Sequence, residues 1–240
     1  MVVKEYFMNG LVGSPNLKYD FKVKYDQFGN RVQATYVDSS ELILVDIFDK
    51  LSTTLLKTKQ QHFRMVELGS NQAYYSLMFK AMCKWHNKTS EIVCVEPNDR
   101  HMIRGKEHFH LNDHEASFCD YIIGEYEFIK KDLDASNLPG GSEFLLVTKK
   151  EILTLSQLLE IYNIEELDIL HMDVDHSERA ILASSEHLFK NKKIKKIFIS
   201  THRPDLHQYC YDFLKECGYK LELQITKMIV GFDSLLVFSL

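Results

Sequence analysis

Apolar and polar positions change rhythm along this chain near residue 60. Before that point, KYDFKVKYDQFGNRVQATYV alternates aromatic and polar positions around Gly29-Asn30, which predicts an irregular hairpin. SSELILVDIFDKLSTTLLK then carries apolar residues at helical spacing, with Ser39 or Ser40 placed to cap a helix. From residue 63 short apolar runs alternate with amphipathic ones. The strands are FRMVEL, EIVCVE, ASFCDYIIG, LDILHMD and KKIFIST. The helices between them are QAYYSLMFKAMCKWH, DRHMIRGKEHFHLN, LSQLLEIY, SERAILASSEHLFK and DLHQYCYDFLKECG, the last ended by Gly218. A polar excursion containing LPGGS separates the third strand from its helix. Such units imply an α/β fold with a mostly parallel sheet covered on both faces. The last two strands, YKLELQI and MIVGFDSLLVFSL, have no helix between them and should pair antiparallel. The expected division is an extension or lid over residues 1–60 and a main domain over 61–240.

Composition narrows the class. The 240 residues are 45% hydrophobic and 26% charged, ordinary for a globular chain, and the net charge of -5 leaves no basic footprint for nucleic acid. The densest basic run, KNKKIKK at 190–196, reads as a solvated strand entry. The five cysteines are odd in number and form no CxxC pair, as in a reduced intracellular protein. No apolar run approaches a membrane span, and the amino terminus lacks the core of a signal peptide, so the expected location is cytoplasmic.

A wound parallel sheet binds ligands beyond the carboxyl ends of its strands. The first strand ends in Glu67-Leu68-Gly69-Ser70-Asn71, where glycine permits a close backbone approach and the next helix offers its N–H groups. The second ends in Glu96-Pro97-Asn98, and Glu96 stands 27 residues after Gly69, placed to accept the hydroxyls of a ribose. A pyrophosphate turn would carry two or three glycines; this one carries one. S-adenosylmethionine, which has a ribose and an amino acid end but no phosphate, fits that deficit. A nicotinamide dehydrogenase on the same fold fits it poorly.

VELGSNQAYYSL, VCVEPND, HLND, LTLSQLLEIYNIEELDILHMDVDHSERAIL and IFISTHRP, in this order and spacing, resemble the FkbM-type methyltransferases. The resemblance runs from about residue 60 to about 205. It implies a Rossmann-like class I methyltransferase fold, a seven-stranded sheet ending in an antiparallel hairpin, with S-adenosylmethionine as cofactor and S-adenosylhomocysteine as product. It implies O-methylation of a small-molecule acceptor, such as a sugar or natural product. By position it assigns Glu67, Gly69, Ser70, Asn71 and Ser76 to the first cofactor motif, and Glu96, Pro97 and Asn98 to the ribose. Asn112 matches a recurrent position, Asp173 ends the fourth strand and Glu178 opens the next helix. The chain departs from the family pattern at Asp175 and His176, where Asp-Val-Glu-Gly-x-Glu is usual, and at His171, where Lys or Arg is common.

That altered segment has several readings. Asp173, His202 and His171 are the candidate catalytic residues, an acid/base site drawing the proton from an acceptor hydroxyl. Alternatively Asp173, Asp175, His176 and His202 hold a divalent ion, or they only order a turn and cap a helix. A binding module that has lost transfer chemistry is a further alternative. His110 and His114, four apart, read as a solvated helix end, with the helix closing near Asn112. Trp85 reads as a packing anchor, Tyr74 and Tyr75 as packing or as a wall beside the cofactor. The aromatics Tyr6, Phe7, Tyr19, Phe21 and Tyr25 read as filling a small core rather than facing a sugar ring. The sequence leaves the oligomeric state open, a homo-oligomer included.

Overall fold

The computed structural model describes residues 39–135, 149–226 and 234–240, with four short strands nearer the amino terminus. These are β1 (Glu5–Tyr6), β2 (Val12–Gly13), β3 (Lys22–Tyr25) and β4 (Arg31–Thr35). β3 and β4 pair antiparallel on either side of Gly29-Asn30, as the alternation predicts. The side chains of Tyr6, Phe7, Tyr19, Phe21 and Tyr25 lie outside the described part of the structure.

Next come α1 (Ser39–Leu56), β5 (His62–Leu68), α2 (Tyr74–Trp85), β6 (Thr89–Val95), α3 (Asp99–Leu111), β7 (Ser117–Cys119), β8 (Ile122–Ile123) and α4 (Tyr126–Ala135). They are followed by β9 (Ile152–Leu153), α5 (Leu155–Ile161), β10 (Leu167–Met172), α6 (Glu178–Ser184), α7 (Glu186–Lys190), β11 (Ile194–Thr201), α8 (Pro204–Glu216), β12 (Lys220–Ile225) and β13 (Ser234–Ser239). Seven strands form one sheet in the order β12-β13-β11-β10-β5-β6-β7. Only β13 runs antiparallel, inserted between β11 and β12. No helix among the described residues is long and apolar enough to cross a membrane.

The strands are apolar on both sides because both sides are covered. On one face Val66, Leu68, Leu170, Met172, Ile197 and Ile199 pack with side chains of α5 to α8. On the other, Met65, Ile92, Ile169 and Phe198 pack with α1 and α2. Val45, Phe48 and Leu56 of α1 belong to this second core, so the helix of the amino-terminal extension fills a face of the main sheet. All five cysteines are free and buried.

Local chemistry shifts several elements from their expected form. ASFCDYIIG is two strands: β7 joins the main sheet, while β8 pairs with β9 in a separate parallel pair. Between them Asp120 turns out to meet Lys150 at 2.7 Å. SERAILASSEHLFK is two helices parted at Ser185, whose Oγ accepts the Ser156 N–H at 3.2 Å. The polar excursion contains α4, whose Tyr126, Ile129 and Leu133 recur at helical spacing beneath a charged surface. The LPGGS stretch lies outside the described residues. α1 begins at Ser39, and the side chains of Ser39 and Ser40 lie outside the described part of the structure. Trp85 is 55% exposed and anchors no core.

Phe48 is 1% exposed and packs against Tyr75 and Phe198 at ring distances of 5.2 and 4.9 Å. Phe48→Ala should therefore lower stability by about 3–5 kcal/mol, within a single cooperative urea transition. A loss below about 1 kcal/mol would make α1 a separable lid.

Candidate functional site

The turn leaving β5 is shaped by one glycine. Gly69 has φ +72, and a Cβ there would lie 1.9 Å from the carbonyl oxygen of Asp173. The turn after β5 therefore rests directly on the turn after β10, and only glycine permits both the conformation and the approach. The N–H groups of Gly69 and Ser70 donate to the Val95 carbonyl at 3.0 and 2.9 Å, tying the turn to the end of β6. Asn71 and Ala73 are left-handed, with φ 47 and 57.

Ala73, at the N-cap of α2, offers no side-chain acceptor. Glu67 supplies one from the sheet: its Oε2 accepts the Ser76 N–H at 3.0 Å. Ser70 is buried in the turn, and its Oγ has no hydrogen-bond partner among the described residues. Glu96 bridges the first and second turns, its Oε2 accepting the Asn71 N–H at 2.7 Å and its Oε1 the Asn98 N–H at 2.8 Å. Burial raises its pKa above the ordinary value. Pro97 follows it, and the Asn98 side chain caps α3, accepting the Arg100 N–H at 3.0 Å.

His171 stands beside Glu67 across β10 and β5, with its Nδ1 3.7 Å from Glu67 Oε1. Its ring stacks on Tyr75 at 4.4 Å and meets Phe48 edge-on at 5.7 Å. Burial pushes Glu67 up to about 8 and His171 down to about 3. Near neutral pH this is an uncharged carboxyl beside an uncharged imidazole. The structure thus places His171 in the wall under the turn after β5, not with Asp173 and His202: β10 ends at Met172, and Asp173 and Asp175 lie beyond the strand.

Beyond that end, Asp173, Asp175, Glu178 and His202 come together. His202 Nδ1 is 2.8 Å from Oε1 of the fully buried Glu178, so its N–H donates to that carboxylate. Its Nε2 faces Asp173 Oδ1 at 3.4 Å and Asp175 Oδ1 at 3.2 Å. The His176 ring lies 5.6 Å from that of His202. The cluster is centred on an imidazole, and no group of three His, Cys, Asp or Glu among the described residues is spaced to hold a metal ion.

Two supports of this site were not evident from the sequence. His108 is buried, and its Nδ1 donates to the Gln72 carbonyl at 3.0 Å, holding the cofactor turn from α3. Gly105 lets α3 approach that turn, since a Cβ there would meet Phe118 at 2.9 Å and the Ala73 Cβ at 3.2 Å. The sequence signal was a single His and Gly three apart on one helix face. His110 and His114 line an open depression of about 890 Å³ with Lys80, Lys106 and Phe118. It lies by the end of α3 and the start of β7, opposite the strand ends that carry the site.

A family model described as the methyltransferase FkbM domain matches residues 64–221. The chain belongs to this family. It is an S-adenosylmethionine-dependent methyltransferase. Solved structures agree on the fold. The N-terminal domain of human METTL16 in complex with SAH is similar at a TM-score of 0.52 and 10% identity, over 92% of this chain and 76% of that one. A human methyltransferase 10 domain-containing protein is similar at 0.51 and 12% identity, over 89% and 90%. No curated protein matches the chain.

The turn after β5 has two features that fit a ligand's polar end: an unsatisfied buried Ser70 hydroxyl and a helix start without a side-chain cap at its own N-cap residue. Gly69→Ala should therefore abolish measurable S-adenosylmethionine binding and lower stability by at least about 1–3 kcal/mol, read by calorimetry and urea melts. Unchanged binding would remove the turn from the cofactor site. Glu67 gives a pH signature. Folding raises its pKa, so its contribution to stability is full below the unfolded value of 4.5 and is lost as pH rises through about 8. Wild type should lose stability relative to Glu67→Gln between about pH 5 and 8; parallel stability curves over that range would refute the buried neutral carboxyl.

Proposed function

We propose that this methyltransferase methylates a hydroxyl of a small polar acceptor, such as a sugar or a natural product of similar size. The observation that supports this reading is the contact of the turn after β5 with the Asp173 turn, since a methyl donor held at the first would face the acid–imidazole cluster beyond the second. A hydroxyl is a weak nucleophile at neutral pH and needs a group to take its proton as it reacts.

In this reading Gly69, Ser70, Asn71 and the start of α2 hold the amino acid end of the cofactor. Glu67 orders that helix start through the Ser76 N–H. Glu96 takes the ribose hydroxyls: a carboxylate has about four acceptor sites, and its two backbone bonds leave room for them. Pro97 and Asn98 shape the edge beside it. When bound, the cofactor supplies an activated methyl group on a positively charged sulfur. The chain aligns the acceptor oxygen with that methyl carbon, excludes competing water and disposes of the proton. Asp173 and His202 shape the end of the pocket where the proton is taken up, and Glu178 orients the His202 ring. His171 belongs to the cofactor wall. The net charge of -5 favours a small molecule over nucleic acid.

Calorimetry with S-adenosylmethionine, S-adenosylhomocysteine and NAD, followed by methyl-transfer assays on a panel of sugars and phenols, tests the reading. Binding of the two adenosyl ligands with no turnover of any hydroxyl would sink the acceptor class. Glu96→Ala should weaken cofactor binding by about 10- to 100-fold, the loss of charge-assisted hydrogen bonds; unchanged affinity would remove the ribose assignment. His202→Ala should slow transfer by about 100-fold or more with cofactor affinity within about twofold, and a wild-type rate would end its role.

A further inference from the structure

His176 holds a backbone conformation that side chains other than glycine rarely adopt, with φ +67. The related motif carries glycine there, and this chain places an imidazole instead. The residue lies on the turn between Asp173, whose carbonyl touches the cofactor turn, and α6. Its ring is half-buried, edge-on to His202 at 5.6 Å. Its Nδ1 is buried and has no hydrogen-bond partner among the described residues. A strained residue whose ring secures no neighbour through that atom is poorly explained by stability, and strain of this kind gathers at functional sites.

His202 differs in the same cluster. Both of its nitrogens face carboxylates, Glu178 on one side and Asp173 and Asp175 on the other. That arrangement suits a ring protonated on both nitrogens, with no lone pair to offer.

We propose that His176 is the side chain that meets the acceptor hydroxyl and takes its proton, with His202 as the positioning residue behind it. The proposal rests on the O-methylation reading for its substrate. His176 accepts the proton on Nε2, its buried Nδ1 remaining the N–H, as the acceptor oxygen bonds the methyl carbon. The methyl–sulfur bond breaks and its electron pair stays on sulfur. One positive charge thus leaves the sulfur and one appears on His176, near Asp173, Asp175 and Glu178. Burial lowers the His176 pKa, so the ring keeps a free lone pair near neutral pH. Glu178 and Asp175 oppose that shift, while His202 and Arg203 add to it.

The test uses the full chain, wild type and the variants His176→Gly and His176→Asn, since both replacements accept a left-handed backbone. His176→Gly should melt at the same temperature or about 2–4 °C higher, because strain is relieved. Both variants should bind S-adenosylmethionine within about twofold of wild type and lose about 100-fold or more in transfer to any hydroxyl the wild type methylates. Imidazole nitrogen shifts by NMR at pH 7 should show His176 neutral and His202 protonated on both nitrogens. A lower melting temperature for His176→Gly would show that the ring is structural and overturn the proposal. A cationic His176 at pH 7, or wild-type transfer in either variant, would overturn it equally. If the panel contains no hydroxyl substrate, the acceptor class falls, while melting and NMR still decide the status of His176.

Discussion

The close approach of Gly69 to the Asp173 carbonyl sets the geometry of everything around it. Two neighbouring parallel strands, β5 and β10, end at the same height, and each must turn into its helix in the same small volume. Without a Cβ at residue 69 the two turns nest. With them nest two kinds of chemistry, a helix start that can receive an amino acid and a group of carboxylates around an imidazole. The hydrogen bonds from Gly69 and Ser70 to Val95 then draw in the third strand end, where Glu96 sits. One missing side chain thus fixes the spacing between the turn after β5 and the carboxylate–imidazole cluster after β10.

The carboxylates of the site divide by environment. Glu67 is sealed beneath the turn beside His171, and burial holds both uncharged near neutral pH. It serves as an acceptor for α2 without adding negative charge to the core. Glu178, equally buried, lies against His202 instead. Asp173 and Asp175, at the surface of the same cluster, face the other nitrogen of that ring. Anionic groups surrounding an imidazole keep a proton taken up by that ring close to opposite charge.

The recurring apolar rhythm gave a sound outline of the elements, because a sheet covered on both faces demands long apolar strands and amphipathic helices. It did not show where an element is interrupted. One expected helix is parted at Ser185, and one expected strand is parted at Asp120, which meets Lys150. α4 was hidden because its three apolar residues serve a small separate core beneath a charged surface. Trp85 was misread because its place on α2 faces outward, and composition alone carries no direction.

The sequence by itself determined the α/β class, the antiparallel last pair and, through the order and spacing of its motifs, the methyltransferase family and so the kind of cofactor. These depend on local pattern and spacing, which a chain displays in one dimension. Only the tertiary structure decided which polar residues meet. His171 and Asp173 are two apart in sequence, yet one lies among aromatic rings under the cofactor turn and the other lies beyond the strand end against His202. Glu178 and His202, 24 residues apart, share a hydrogen bond. The protonation of Glu67 and of His171 follows from burial, and burial is a property of the packed sheet rather than of any segment within it.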